Sequence, residues 1–194
     1  MKYETIVIGV SAGGMKALKT IFPSLLPDFA LSVIIVQHRY PGTDNNLEKL
    51  LDAQCQITVR QAEEKEKIEP GIIFIAPPNY HLLVEDDRTF SMSLEGRVNY
   101  ARPSIDLLFN SAADVYGPKL IGIILTGANN DGSKGLKTIK ESGGLTIVQD
   151  PETAEADSMP KAAIAKTKVD YILPLYEIGN FLNKIACGED VRKD

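Results

Sequence analysis

The stretch Thr5-Ile6-Val7-Ile8-Gly9-Val10-Ser11-Ala12-Gly13-Gly14 governs the interpretation of the rest of the chain. A continuous apolar run from Thr5 to Val10, rich in β-branched residues, describes a strand buried on both faces. The glycines after it force a tight turn, and Met15, Leu18 and Ile21 then recur at helical spacing. A buried strand that runs through a glycine turn into a helix is the opening unit of a parallel α/β sheet.

Beyond that unit, similar runs recur at Leu31–Val36, Ile72–Ala76, Leu120–Leu125, Leu145–Val148 and Val169–Leu173, with a shorter one at Ile57–Arg60. Between them lie segments of helical spacing: Leu47, Leu50 and Leu51; Ile105, Leu108, Phe109 and Ala112; Leu136, Ile139 and Lys140; Ile178, Leu182 and Ile185. Strands alternating with helices imply parallel strands joined by right-handed crossovers. The expected fold is an α/β architecture on a mostly parallel sheet of about seven strands. One region breaks the rhythm: His81–Glu85 and Phe90–Leu94 alternate around Asp86-Asp87-Arg88, the pattern of an inserted antiparallel hairpin. The length of 194 residues fits a single domain spanning 1–194, large enough to bury a core without disulfides or metals.

Composition removes several classes of function. With 21 basic against 26 acidic residues the formal charge is -5, so no net field draws the chain to nucleic acid or anionic lipid. The first apolar run follows Glu4 and stops at Ser11, unlike a secretory leader, and no run reaches the roughly 20 apolar residues of a membrane helix. No direct membrane insertion is expected. Cys55 and Cys187 match neither a zinc nor a redox spacing and read as ordinary thiols of a reducing compartment, which makes the cytoplasm the expected location. The mixed-charge stretch Glu63–Glu69 reads as a solvated connection.

In an open parallel sheet, ligands gather beyond the carboxyl ends of the strands, so the residues just after each strand matter most. Gly9–Gly14 admits two ligand-handling readings. In a dinucleotide fingerprint the middle glycine lets phosphates approach, but Ser11 stands there, and the second strand ends in Gln37-His38 rather than an acidic residue for a ribose. In a Gly-x-Ser-x-Gly turn, a sharp strand-to-helix bend lifts a nucleophilic hydroxyl clear of the backbone. The bland alternative is that Ser11 merely caps the following helix. His38 follows the second strand and emerges on the same sheet edge as Ser11. Asp131, in the loop Thr126–Gly132, is placed either to orient an imidazole or to cap the helix from Ser133. Together these residues describe a serine hydrolase with Ser11 as nucleophile, His38 as base and Asp131 as the orienting carboxylate. The order Ser, His, Asp differs from the Ser, acid, His order of α/β-hydrolases.

The same residues resemble the catalytic domain of the CheB family, the chemotaxis protein-glutamate methylesterases. The resemblance runs through Gly9–Gly14, Val36–His38, Ala76–His81, Arg102–Asp106, Leu125–Gly132 and Met159-Pro160, nearly the whole chain. It implies a three-layer α/β/α, Rossmann-like domain that hydrolyses glutamate methyl esters on methylated chemotaxis receptors or a related methylated protein, with glutamine deamidation by the same site. It implies no metal or organic cofactor. Backbone amides near Ala12 or Ala128 are the implied oxyanion donors, and His81 and Arg102 are candidates for substrate contact. Two departures stand out. Asn129 replaces a residue that is typically glycine in the family, which raises the question of a positive φ there. Met1 lies only a few residues before the first strand, whereas chemotaxis members usually carry an N-terminal receiver domain, so regulation is expected from a separate receiver-domain protein or not at all. Two rivals share these residues: a general carboxylesterase of small esters, and a non-catalytic binding module on the same scaffold.

Overall fold

The computed structural model describes residues 2–38, 47–189 and 191. In chain order its elements are β1 (Thr5–Val10), α1 (Gly14–Ile21), β2 (Ser32–Gln37), α2 (Leu47–Asp52), β3 (Thr58–Gln61), β4 (Ile72–Ile75), β5 (His81–Val84), β6 (Phe90–Ser93), α3 (Ile105–Tyr116), β7 (Leu120–Ile124), α4 (Ser133–Glu141), β8 (Leu145–Gln149), α5 (Ser158–Lys166), β9 (Tyr171–Leu173) and α6 (Leu175–Ala186). The main sheet has the order β3-β4-β2-β1-β7-β8-β9, and each of its pairings is parallel. β5 and β6 form the expected antiparallel hairpin, with His81 opposite Ser93 and Val84 opposite Phe90.

The alternation of side chains along each strand builds the two cores. Ile6, Ile8 and Val10 of β1 point to one face, where Leu18 and Ile21 of α1 and Ile178 and Leu182 of α6 cover them. Val7, Ile34 and Val36 point to the other, beneath Ile105, Leu108 and Phe109 of α3 and Leu136 and Ile139 of α4. Each such side chain taken wholly out of water stabilises the fold by about 1.5–3 kcal/mol. Among the described residues no helix is long and apolar enough to cross a membrane. Cys55 and Cys187 are both free, and burial, reinforced by the charge of Asp52, pushes the Cys55 thiol up to about 11.

Two elements differ from the sequence reading. α5 lies where no helical stripe is visible, because Ser158–Lys166 offers alanines in place of a row of large apolar residues. Pro160 falls within its first turn, where a missing N–H removes no intrahelical bond. The last strand is shorter than Val169–Leu173, since Asp170 is diverted: its N–H and carboxylate are both bonded to Thr146.

β1 is the strand from which the order departs in both directions, toward β2 on one side and β7 on the other. A sheet of this kind opens a crevice at the carboxyl ends of the strands flanking that reversal.

Candidate active site

The hydrogen-bond ladders of β1 run one step past its end. His38 N–H donates to Val10 O at 3.1 Å on the β2 side, and Ser11 N–H donates to Thr126 O at 3.0 Å on the β7 side. Register alone therefore sets Ser11 between the residue just past β2 and the loop that leaves β7. The turn after Ser11 needs glycine at Gly13, which sits at φ 77° and whose added Cβ would lie 2.7 Å from Glu155 Cβ. Gly13, not Ser11, occupies the N-cap of α1, and no side chain caps that helix. Among the described residues the Ser11 hydroxyl makes no hydrogen bond.

Thr126 ties the two loops together. Its hydroxyl donates to Ala12 O at 2.8 Å and accepts from Ala156 N at 2.9 Å, while its own N–H is held by the buried Gln149 side chain at 2.9 Å. Gly127 then passes so close to Ser11 that a Cβ would stand 3.0 Å from Ser11 Cβ and collide with Met159 Sδ. Met159, which the sequence marks only as part of a motif, is thus the floor under the serine turn, and its N–H donates to Gly127 O at 2.9 Å.

Asp131 is 1% exposed, yet it carries a dense set of donors. Its Oδ2 receives His38 Nε2 at 2.9 Å and the Ile105 N–H at 2.7 Å. Its Oδ1 receives Ser104 Oγ at 3.1 Å, Asn99 Nδ2 at 3.1 Å, Asp106 N–H at 3.2 Å and its neighbour Gly132 N–H at 3.1 Å. The carboxylate therefore sits on the N-terminus of α3, where free N–H groups and the helix dipole favour negative charge. It does not cap α4, whose N-cap is Gly132. Burial by itself pushes the Asp131 carboxyl up. The bonds from His38 and the Ile105 N–H, the charge at His38 and the Asn99 amide outweigh it and hold the group below the ordinary carboxylate range.

Asp106 returns the favour by accepting the Gly135 N–H of α4 at 2.8 Å, so each helix start is held by a carboxylate of the other's segment. Burial first, and then the charge of Asp131, raises Asp106 above its usual range. Asn99 Nδ2 bridges the pair, reaching Asp106 Oδ2 at 3.0 Å from a backbone at φ 49°. The sequence marks Ser104 only as part of the motif Arg102–Asp106 and does not mark Asn99 at all, since a polar residue in a loop carries no periodic signal.

His38 keeps a side-chain exposure of 12%, facing a cleft of about 460 Å³. Ser11, Ala12, Ala128, Asn129, Arg97 and Arg102 border the same cleft. The N–H groups of Ala12 and Ala128 donate to no group among the described residues. Arg102 is anchored by Nη1 to Leu94 O at 2.8 Å and Glu95 O at 3.0 Å. His81 is fully buried: Nδ1 accepts from Ser104 N at 3.1 Å and Nε2 bonds Gly96 O at 3.1 Å. That placement makes it a strut beneath Ser104, with no surface for a substrate. Asn129 is absent from the residues at positive φ, so a side chain is accommodated there without strain. It uses that side chain: Oδ1 accepts the Asp131 N–H at 2.9 Å and Nδ2 meets His38 Nδ1 at 3.1 Å.

Residues 6–182 match the family model described as CheB methylesterase. A 54% identical protein of Leptospira interrogans, provisionally named protein-glutamate methylesterase/protein-glutamine glutaminase, aligns over 95% of this chain and 96% of its own length. A Thermotoga maritima protein-glutamate methylesterase/protein-glutamine glutaminase is 38% identical over 90% of this chain, which spans 52% of that relative. The crystal structure of the Thermotoga maritima CheB methylesterase catalytic domain superposes with a TM-score of 0.90 at 36% identity, covering 95% of this chain and 100% of that one. A match that begins in β1, passes through every strand end described above and closes in α6 places this chain in the CheB methylesterase family.

Proposed function

We propose that this chain hydrolyses the side-chain methyl esters of glutamate on methylated chemotaxis receptors, and deamidates glutamine at the same kind of site, in the cytoplasm. The observation that carries the reading is the 2.9 Å bond between His38 and a buried, helix-stabilised Asp131, at the strand ends that also present Ser11 to an open cleft. Ser11 Oγ attacks the ester carbonyl and His38 Nδ1 takes its proton. The tetrahedral oxyanion is stabilised by the N–H groups of Ala12 and Ala128, a contribution of about 10²- to 10³-fold per donor. Collapse expels methanol, reprotonated by the imidazolium, and leaves an acyl ester on Ser11. Water, deprotonated by the same nitrogen, then cleaves that ester and frees the glutamate carboxylate. Asp131 stays ionised throughout and stabilises the imidazolium. Arg102, on the cleft wall, and not His81, remains the candidate for substrate contact.

Methanol release from a methylated receptor fragment tests the reading directly. Wild type should release methanol and Ser11→Ala should not. Equal release by both would remove Ser11 from the chemistry, while turnover of nitrophenyl esters alone would point to a small-ester carboxylesterase.

A further inference from the structure

Both ends of the Asn129 side chain are assigned by their partners. Oδ1 faces the Asp131 N–H at 2.9 Å, and a backbone N–H only donates, so this end of the amide is the oxygen. The other end is the NH₂ group, and it meets His38 Nδ1 at 3.1 Å. An amide NH₂ also only donates, so Nδ1 must be the bare nitrogen. Nε2, 2.9 Å from Asp131 Oδ2, carries the proton. An imidazole nitrogen has a single in-plane lone pair. While Asn129 donates to it, the Ser11 hydroxyl has no acceptor on His38, in keeping with a hydroxyl that makes no hydrogen bond among the described residues.

We propose that Asn129 is a positioning residue: it selects the Nε2–H tautomer of His38 and occupies the Nδ1 lone pair at rest, so that Ser11 gains its base only when Asn129 turns away. Asn129, His38 and Ser11 border the same cleft, so the amide lines the space a substrate would enter. The Asp131 N–H contact closes a two-residue side-chain turn that orients the Asn129 amide at rest. The inference rests on the assignment of Ser11 and His38 as nucleophile and base.

The test is the rate of covalent labelling by a fluorophosphonate probe, which needs the serine and its base but no receptor. Asn129→Ser keeps a short hydroxyl able to accept the Asp131 N–H but does not reach His38; Asn129→Gly loses both contacts. Each should label about 2- to 10-fold faster than wild type, the worth of one neutral hydrogen bond. A purely structural role would instead slow labelling, most in Asn129→Gly. A ¹⁵N–¹H spectrum of the wild-type imidazole, which depends on no variant, should show the proton on Nε2. Labelling unchanged or slower in both variants, or a proton on Nδ1, overturns the proposal. Ser11→Ala separates the two levels: if it stays silent while the Asn129 variants fail to accelerate, only this inference falls, and if it labels like wild type the nucleophile assignment falls with it.

Discussion

Asp131 illustrates how much of this site is decided by donor and acceptor arithmetic at one side chain. Among the described residues its Oδ1 faces Asn99, Ser104 and two backbone N–H groups, whereas Oδ2 faces His38 and Ile105. In an Asp131→Asn variant the single amide oxygen must turn to the richer cluster, because leaving those donors unmet costs about 1–3 kcal/mol apiece. The NH₂ then confronts His38 Nε2, which can accept only by moving its proton to Nδ1 and turning the Asn129 NH₂ away from that nitrogen. The base nitrogen is thereby lost, and kcat should fall by about 10⁴, the scale known for a wrong-tautomer histidine. Titrating Ser11 labelling kinetics in the variant checks this. Labelling within tenfold of wild type would mean that the amide sits the other way round and that tautomer control lies elsewhere.

At the scale of elements, the strand runs and the loops after them are legible in the sequence because β-branched runs bounded by glycine leave few alternatives. Ser11, His38 and Asp131 emerge from a single question, namely which polar residues stand just past each strand end. The cross-capping of α3 and α4 is not legible, since it depends on Asp106 and Asp131 meeting across 25 residues of chain, a fact of topology rather than of pattern. α5 and the shortened β9 escape for other reasons: alanines, though good helix formers, leave α5 without an apolar stripe, and a tertiary bond at Asp170 overrides the local β propensity. Asp170 yields an element-scale prediction. Its Oδ2 accepts the N–H and hydroxyl of Thr146 at 2.9 and 2.8 Å, and Lys140 reaches Oδ1 at 2.5 Å, which joins α4 to the β8–β9 edge. Burial raises its carboxyl, but Lys140 and the Thr146 bonds outweigh that and lower it overall. A folded-state value below the ordinary 3.8 means that this stabilisation is fully present above pH 3.8 and is lost as pH falls through the lower folded value. Asp170→Asn should therefore cost about 1 kcal/mol at pH 7, and the gap should close below pH 3.8; thermal melts of the two proteins across that window measure it.

At the scale of the molecule, the three strands that deliver the site lie, with β8, in the buried centre of the sheet. β1 and β7 are buried along their whole lengths and β2 along all but its last residue, while β9, at the edge, is half-exposed. The links between their loops are buried too, with Thr126 and Asp131 each 1% exposed and Ser104 wholly inside. Local opening draws on regions with few buried contacts, so β9 and the exposed loops should exchange their amide hydrogens well before β1, β2 and β7, whose exchange requires global unfolding. The site should then have no private unfolding transition. In a urea titration, loss of Ser11 labelling and loss of far-UV dichroism should share one midpoint and one slope, as a two-state domain requires. Labelling that disappears at clearly lower urea, with helical signal intact, would show that the serine turn and the Thr126–Asp131 loop separate while the sheet still stands. The buried Thr126 and Asp131 bonds would then be too weak to couple them to the core.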